Sequence, residues 1–209
     1  SSSANFYDFI SKELISHFDK NYRTTKFKVA VGHGTTANFI NYFLLKEKTP
    51  VSGFIAISPK FTYKMEDYLI ERLDKVKTNV FYYLASSDTD LKSIDIKTKK
   101  LSDNLIPLKN DLISFKYKQY KNLTHYNLPI HSVSEGFEHV FATYSAINSI
   151  EYDSLLKKTK ISPVKYLINK YDNIANYYDI NKSFLVNDFR FVEKYIEESE
   201  QFKYYKDLS

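Results

Sequence analysis

Cysteine is absent, and with it go disulfide scaffolds, thiolate nucleophiles and cysteine metal sites. No apolar run approaches the length a membrane helix needs, so no membrane span is expected. No signal peptide can be read at Ser1-Ser2-Ser3-Ala4-Asn5. A chain that opens on helix-like sequence is compatible with earlier processing or truncation. Neither H-x-x-x-H nor H-E-x-x-H occurs and the five histidines are dispersed, so no metal and no cofactor are expected. Phosphate-cradling loops are missing too: Gly32-His33-Gly34-Thr35-Thr36-Ala37-Asn38 has neither the G-K-[ST] ending nor the G-x-G-x-x-G spacing. The net charge of +5 has no concentrated basic face. Lys97, Lys99 and Lys100 form the one cluster, without an aromatic stacking platform, so nucleic acid is not an expected partner.

What is present is an alternation of short apolar runs and helical periods. Phe6, Ile10, Leu14 and Phe18 stand four residues apart and predict an amphipathic helix over 6–20. Short strands are expected at 27–31, 53–59, 80–85 and 113–118. Helical patterns lie between them: Phe39 to Leu44, Tyr68 to Val76, and Ile94 to Leu105. Another helix carries Val133, Phe137, Val140, Phe141 and Tyr144. Strands separated by helices mean parallel βαβ units and a three-layer α/β sheet, with any site at the carboxyl ends of the strands. After Ser149 only helical patterns remain. The expected division is therefore an α/β domain over 1–149 and a helical extension over 150–209.

The stretch Ala30-Val31-Gly32-His33-Gly34-Thr35-Thr36 has the build of a nucleophile elbow, a strand ending in a sharp turn into a helix. The middle residue of such a turn carries the nucleophile, and here it is Gly34. Thr35 is the nearest hydroxyl, one residue late, where the backbone N–H normally faces the substrate. His33 precedes the turn and suits a packing role. Asp88 and Asp90 follow the third strand as candidate acids, although turn or cap duty accounts for such residues equally well. His125 lies in the loop after the fourth strand.

Five short motifs in order resemble the esterase family of enterochelin esterase-like and esterase D-like proteins, within the α/β-hydrolase fold. They are Phe9-Ile10-Ser11-Lys12-Glu13-Leu14-Ile15; the elbow Gly32-His33-Gly34-Thr35-Thr36-Ala37; Ile57-Ser58-Pro59; the histidine loop Leu123-Thr124-His125-Tyr126-Asn127; and Gly136-Phe137. The resemblance covers about residues 6–145. It implies His125 as catalytic base, Asp88 or Asp90 as its acid, and the turn around His33 and Thr35 as the oxyanion and binding region. It also implies a periplasmic or secreted setting. The sequence departs from the pattern in four ways: the serine is Gly34, two glycines have become Thr36 and Ala37, and the loop after His125 has lost its glycine.

The expected function is thus that of a pseudo-hydrolase, esterase-like but without its nucleophile, binding a small ester-like ligand or a protein partner. The alternative is an active carboxylic-ester hydrolase that uses Thr35, or whose serine was replaced by Gly34 in this chain. A tyrosine-rich surface and the helical tail would serve an assembly role. The resemblance also implies strands before the elbow strand. The chain is therefore expected to be part of a longer fold, or to have its sheet completed by a partner.

Overall fold

The computed structural model describes residues 2–208; Ser1 and Ser209 lie outside it. Four parallel strands form a sheet in the order β1 (Val29–His33), β2 (Gly53–Ile57), β3 (Val80–Ser87) and β4 (Ile113–Tyr120). Each strand therefore pairs with the next along the chain, Val31 opposite Ile55 and Ile55 opposite Tyr83. All residues of β2 and β3 are buried, as central parallel strands covered on both faces must be. Among the described residues, β1 and β4 are the sheet's edges.

Three helices fill the connections: α3 (Thr35–Leu44), α4 (Met65–Asp74) and α5 (Lys92–Leu105). Their apolar stripes meet one face of the sheet. Ala37, Phe43, Leu69, Leu73 and Leu101 pack in one cluster with Phe54, Ala56, Tyr82 and Leu84. Fully burying each Leu or Phe contributes about 1.5–3 kcal/mol. The Tyr82 hydroxyl donates to the buried Asn41 Oδ1 at 3.0 Å, giving a polar group in this core its partner. The opposite face carries Ile55 and Tyr83 and is covered by α6 (Leu128–Val140). Gly136 permits that approach: a Cβ there would stand 2.7 Å from Ile55 Cγ2 and 3.1 Å from Tyr83 Cδ1.

The first helical run is α1 (Ser2–Asp8), a π-helical stretch (Phe9–Leu14) and α2 (Ile15–Asn21). Four-residue steps outrun an α-helical turn by about 0.4 residue each, and the widened π turn sits within that stripe. Tyr7 and Ile10 reach the core, whereas Phe6, Phe9, Leu14 and Phe18 stay exposed. The expected apolar stripe is therefore only partly buried.

The chain divides into two compact units, one ending at Val140 and the other starting at Phe141, earlier than the expected 149/150. The second unit holds α7 (Ser149–Ser154), α8 (Pro163–Tyr178) and α9 (Val186–Glu198). Asn148 and Ser162 cap α7 and α8 by accepting from Glu151 N and Lys165 N, and Pro163 opens α8. Leu167, Ile174, Tyr178, Val192 and Ile196 are buried in this unit. The buried Asp188 accepts from Ile147 N and from the Tyr171 hydroxyl, both at 2.7 Å. No helix among the described residues is long and apolar enough to cross a membrane.

Candidate active site

All the sequence-predicted site residues lie at or just past carboxyl ends of strands: His33 ends β1 and Gly34 and Thr35 follow it, Asp88 and Asp90 follow β3, and His125 follows β4. Parallel strands bring these ends to one edge of the sheet. The elbow is sharp. Gly34 has φ 59° and ψ −116°, a region that only glycine enters without strain. Its N–H donates to Ile57 O at 2.9 Å, and its carbonyl accepts from Lys60 N at 3.0 Å and Asn38 N at 3.2 Å. The turn is thus fixed from both sides.

Gly32 makes the tight passage between strand and helix possible. A Cβ on it would lie 2.6 Å from Thr36 O and 2.7 Å from Ala37 N. Thr36 and Ala37 fit the turn without opening it. The Thr36 hydroxyl donates to His33 O at 2.8 Å and accepts from His33 N at 3.0 Å, and Ala37 is fully buried. Both side chains are thus accommodated within this turn.

Of the two candidate acids, Asp90 and not Asp88 meets the histidine. His125 Nδ1 donates to Asp90 Oδ1 at 2.9 Å, and the Asp90 side chain has no exposed surface. Two further donors hold the carboxylate: Leu91 N at 2.8 Å to Oδ1, and the Ser58 hydroxyl to Oδ2. Ser58 is fully buried and sits at φ 45°, just past β2. Sequence reasoning took Ser58 only as part of a strand-ending motif and missed this contact. Asp88 has a different task. Its Oδ1 accepts from Asn122 N at 2.8 Å, while the Thr89 hydroxyl donates to Leu123 O at 2.6 Å. Together they tie the loop of Asp90 to the loop of His125.

With Nδ1 donating to Asp90, the other ring nitrogen, Nε2, is the acceptor, and it faces Gly34. A Cβ built on Gly34 would stand 3.4 Å from His125 Nε2 and 3.7 Å from Cε1, with no other residue beyond its chain neighbours within 4 Å. The Thr35 hydroxyl makes no hydrogen bond to His125; the residue is exposed and opens α3. The first-turn N–H groups there have no intrahelical partner.

His33 packs its ring on that of His125, with centroids 4.2 Å apart. Burial, and then the neighbouring His125, hold its pKa below the ordinary histidine value. Its Nε2 is buried without a hydrogen-bond partner. His139 lies elsewhere, on α6, with Nε2 bonded to Ser114 O at 2.9 Å. No group of three or more potential metal ligands occurs among the described residues.

No family model matches the sequence, and no curated protein matches it either. Solved structures do resemble the fold. An uncharacterised protein from Capnocytophaga ochracea superimposes with a TM-score of 0.84 at 20% identity, over 99% of this chain and 58% of its own. An IroE-like serine hydrolase from Shewanella oneidensis gives 0.66 at 18% identity, over 95% of this chain and 62% of its own. The BES protein from Bacillus cereus gives 0.60 at 22% identity, over 66% and 55%. The chain therefore spans less than two thirds of each of these neighbours. At such identities the likeness concerns the fold: a parallel α/β sheet of the hydrolase type followed by a helical tail.

Proposed function

We propose that this chain is an esterase-like hydrolase domain that has lost the covalent step and binds a small ester-like ligand without forming an acyl-enzyme. One observation carries the reading: Gly34 occupies the elbow position faced by His125 Nε2, while Asp90 still holds the base from behind. A serine triad needs a hydroxyl where a base can take its proton, and a base oriented by a carboxylate. The contact between His125 and Asp90 supports the base and its carboxylate in this reading, and Gly34 supplies no hydroxyl. The Shewanella neighbour is a serine hydrolase, which supports the hydrolase class as the origin of the site.

The room above Gly34 also favours a second reading, in which serine at position 34 gives a working ester hydrolase. Thr35 as nucleophile draws no such support, because its hydroxyl is not bonded to His125. A serine-directed fluorophosphonate probe separates the readings. The chain as it stands should remain unlabelled, whereas Gly34→Ser should label and should lose labelling when His125→Ala is added. Robust labelling of the unaltered elbow would overturn the first reading. An unreactive Gly34→Ser chain that is still folded would mean that the base is not poised.

A further inference from the structure

We propose that His125 and Asp90 activate a water molecule over Gly34, so that the domain hydrolyses short activated carboxylic esters by direct attack of water, without an acyl-enzyme. This rests on the site reading above and adds to it a nucleophile, a reaction and a substrate class.

A serine side chain would fill the space over position 34 with a methylene and a hydroxyl. With glycine there, the point a Cβ would occupy faces His125 Nε2 at 3.4 Å, and apart from the chain neighbours no other described residue lies within 4 Å of it. The side-chain volume concerned is of the order of one water's share of the liquid, about 30 Å³. A serine would put its Cβ at that point and its hydroxyl one bond further on, whereas with glycine a water oxygen can take the point itself and move the few tenths of an ångström that bring it within hydrogen-bond distance of Nε2.

The base is prepared for such a proton transfer. Asp90 receives three donors, from His125 Nδ1, Leu91 N and the Ser58 hydroxyl, and its side chain is closed to solvent. It therefore fixes the tautomer in which Nε2 carries the lone pair, and it stabilises the imidazolium formed on protonation. Gly34 N–H is occupied by Ile57 O, which leaves the first-turn amides of α3, beginning at Thr35, as donors for an oxyanion.

The step balances as follows. The water oxygen forms a bond to the ester carbonyl carbon as Nε2 takes one water proton, and the carbonyl π pair moves onto the oxygen. Collapse of this intermediate breaks the bond to the leaving oxygen, which receives the proton from Nε2. One ester and one water give one carboxylic acid and one alcohol, with the imidazole returned to its starting form. No covalent intermediate forms on the protein. Activated esters suit the site because their leaving groups depart with little help.

The test uses the whole chain with 4-nitrophenyl acetate, intact-mass analysis of acid-quenched reactions, and fluorine NMR binding of 1,1,1-trifluoro-2-butanone, whose hydrate resembles the tetrahedral intermediate. Expected are turnover above the buffer rate, a loss of about 100-fold or more in His125→Ala, partial recovery of that variant with added imidazole beyond the rate of imidazole and ester without protein, and no acyl adduct. Recovery by imidazole separates a chemical role from a structural one. An acyl adduct on the protein, or a rate indifferent to His125→Ala, would overturn the proposal. Ketone binding without turnover would overturn the water step and leave the ligand-binding reading intact. Absence of both binding and turnover would overturn the two together.

Discussion

Two glycines two residues apart do opposite things. At Gly32 the problem is space, because the atoms a Cβ would meet are backbone atoms of α3. At Gly34 the problem is conformation, because space is open but φ is 59°. Gly32→Ala must push the start of α3 away from β1, and such overpacking costs about 1–3 kcal/mol or more. The expected result is a clearly lower urea midpoint, measured by circular dichroism. Gly34→Ser costs the strain of one residue outside its preferred region, of the order of 1–3 kcal/mol, and should leave a folded chain that can be assayed. An unchanged midpoint in Gly32→Ala would mean that strand and helix are less closely joined than this geometry requires.

At the scale of elements, α6 and β4 are joined by a half-buried histidine. His139 donates to Ser114 O, and burial holds its pKa below the ordinary 6.5. The neutral form is therefore the folded form. Stability from this group is complete above about pH 6.5 and falls as pH drops through the lowered folded value, because the unfolded chain then binds more protons. His33 contributes with the same sign. Denaturation followed from pH 7.5 to 4.5 should show a decline, and His139→Gln, which keeps a donor for Ser114 O, should flatten part of it. An identical slope in that variant would remove His139 as a source.

The same elements show what could be read from sequence. The apolar run of β2 was legible because burial on both faces makes a central strand apolar throughout, and the stripe of α3 because burial on one side imposes a period. β1 runs two residues further than its apolar run suggests, since Gly32 and His33 pair with Ala56 and Ile57. α6 starts at Leu128, before the expected residues, because a proline in the first turn of a helix is tolerated, as Pro129 is here. Within the site, Gly34 and His125 stood in recognisable motifs. Asp88 and Asp90 could not be separated, since both follow the same strand and only the fold decides which one meets His125. Ser58 was hidden for the same reason: its carboxylate partner lies 32 residues further on.

For the molecule as a whole, the two units are stabilised differently. The first combines an extensive apolar cluster with a closed carboxylate, Asp90, held by hydrogen-bond donors, whereas the helical unit pairs a buried lysine with a carboxylate. Lys170 is 6% exposed and reaches both carboxylate oxygens of Glu151, at 2.9 and 2.8 Å. Lys170→Met leaves Glu151 short of its main partner, with only the Tyr166 hydroxyl remaining. The expected cost is about 3–5 kcal/mol, seen as lost protection of α8 amides in hydrogen exchange. Protection equal to that of the unaltered chain would show that the pair is dispensable.

The strand order has a consequence in time. Among the described strands each docks beside the one made just before it, so every closing loop is a single crossover. The sheet can grow in the direction of synthesis, from β1 towards β4. The elbow takes shape early in that growth, while the histidine arrives only with the loop after the last strand. Release of β4 alone would disconnect the base and leave the elbow standing.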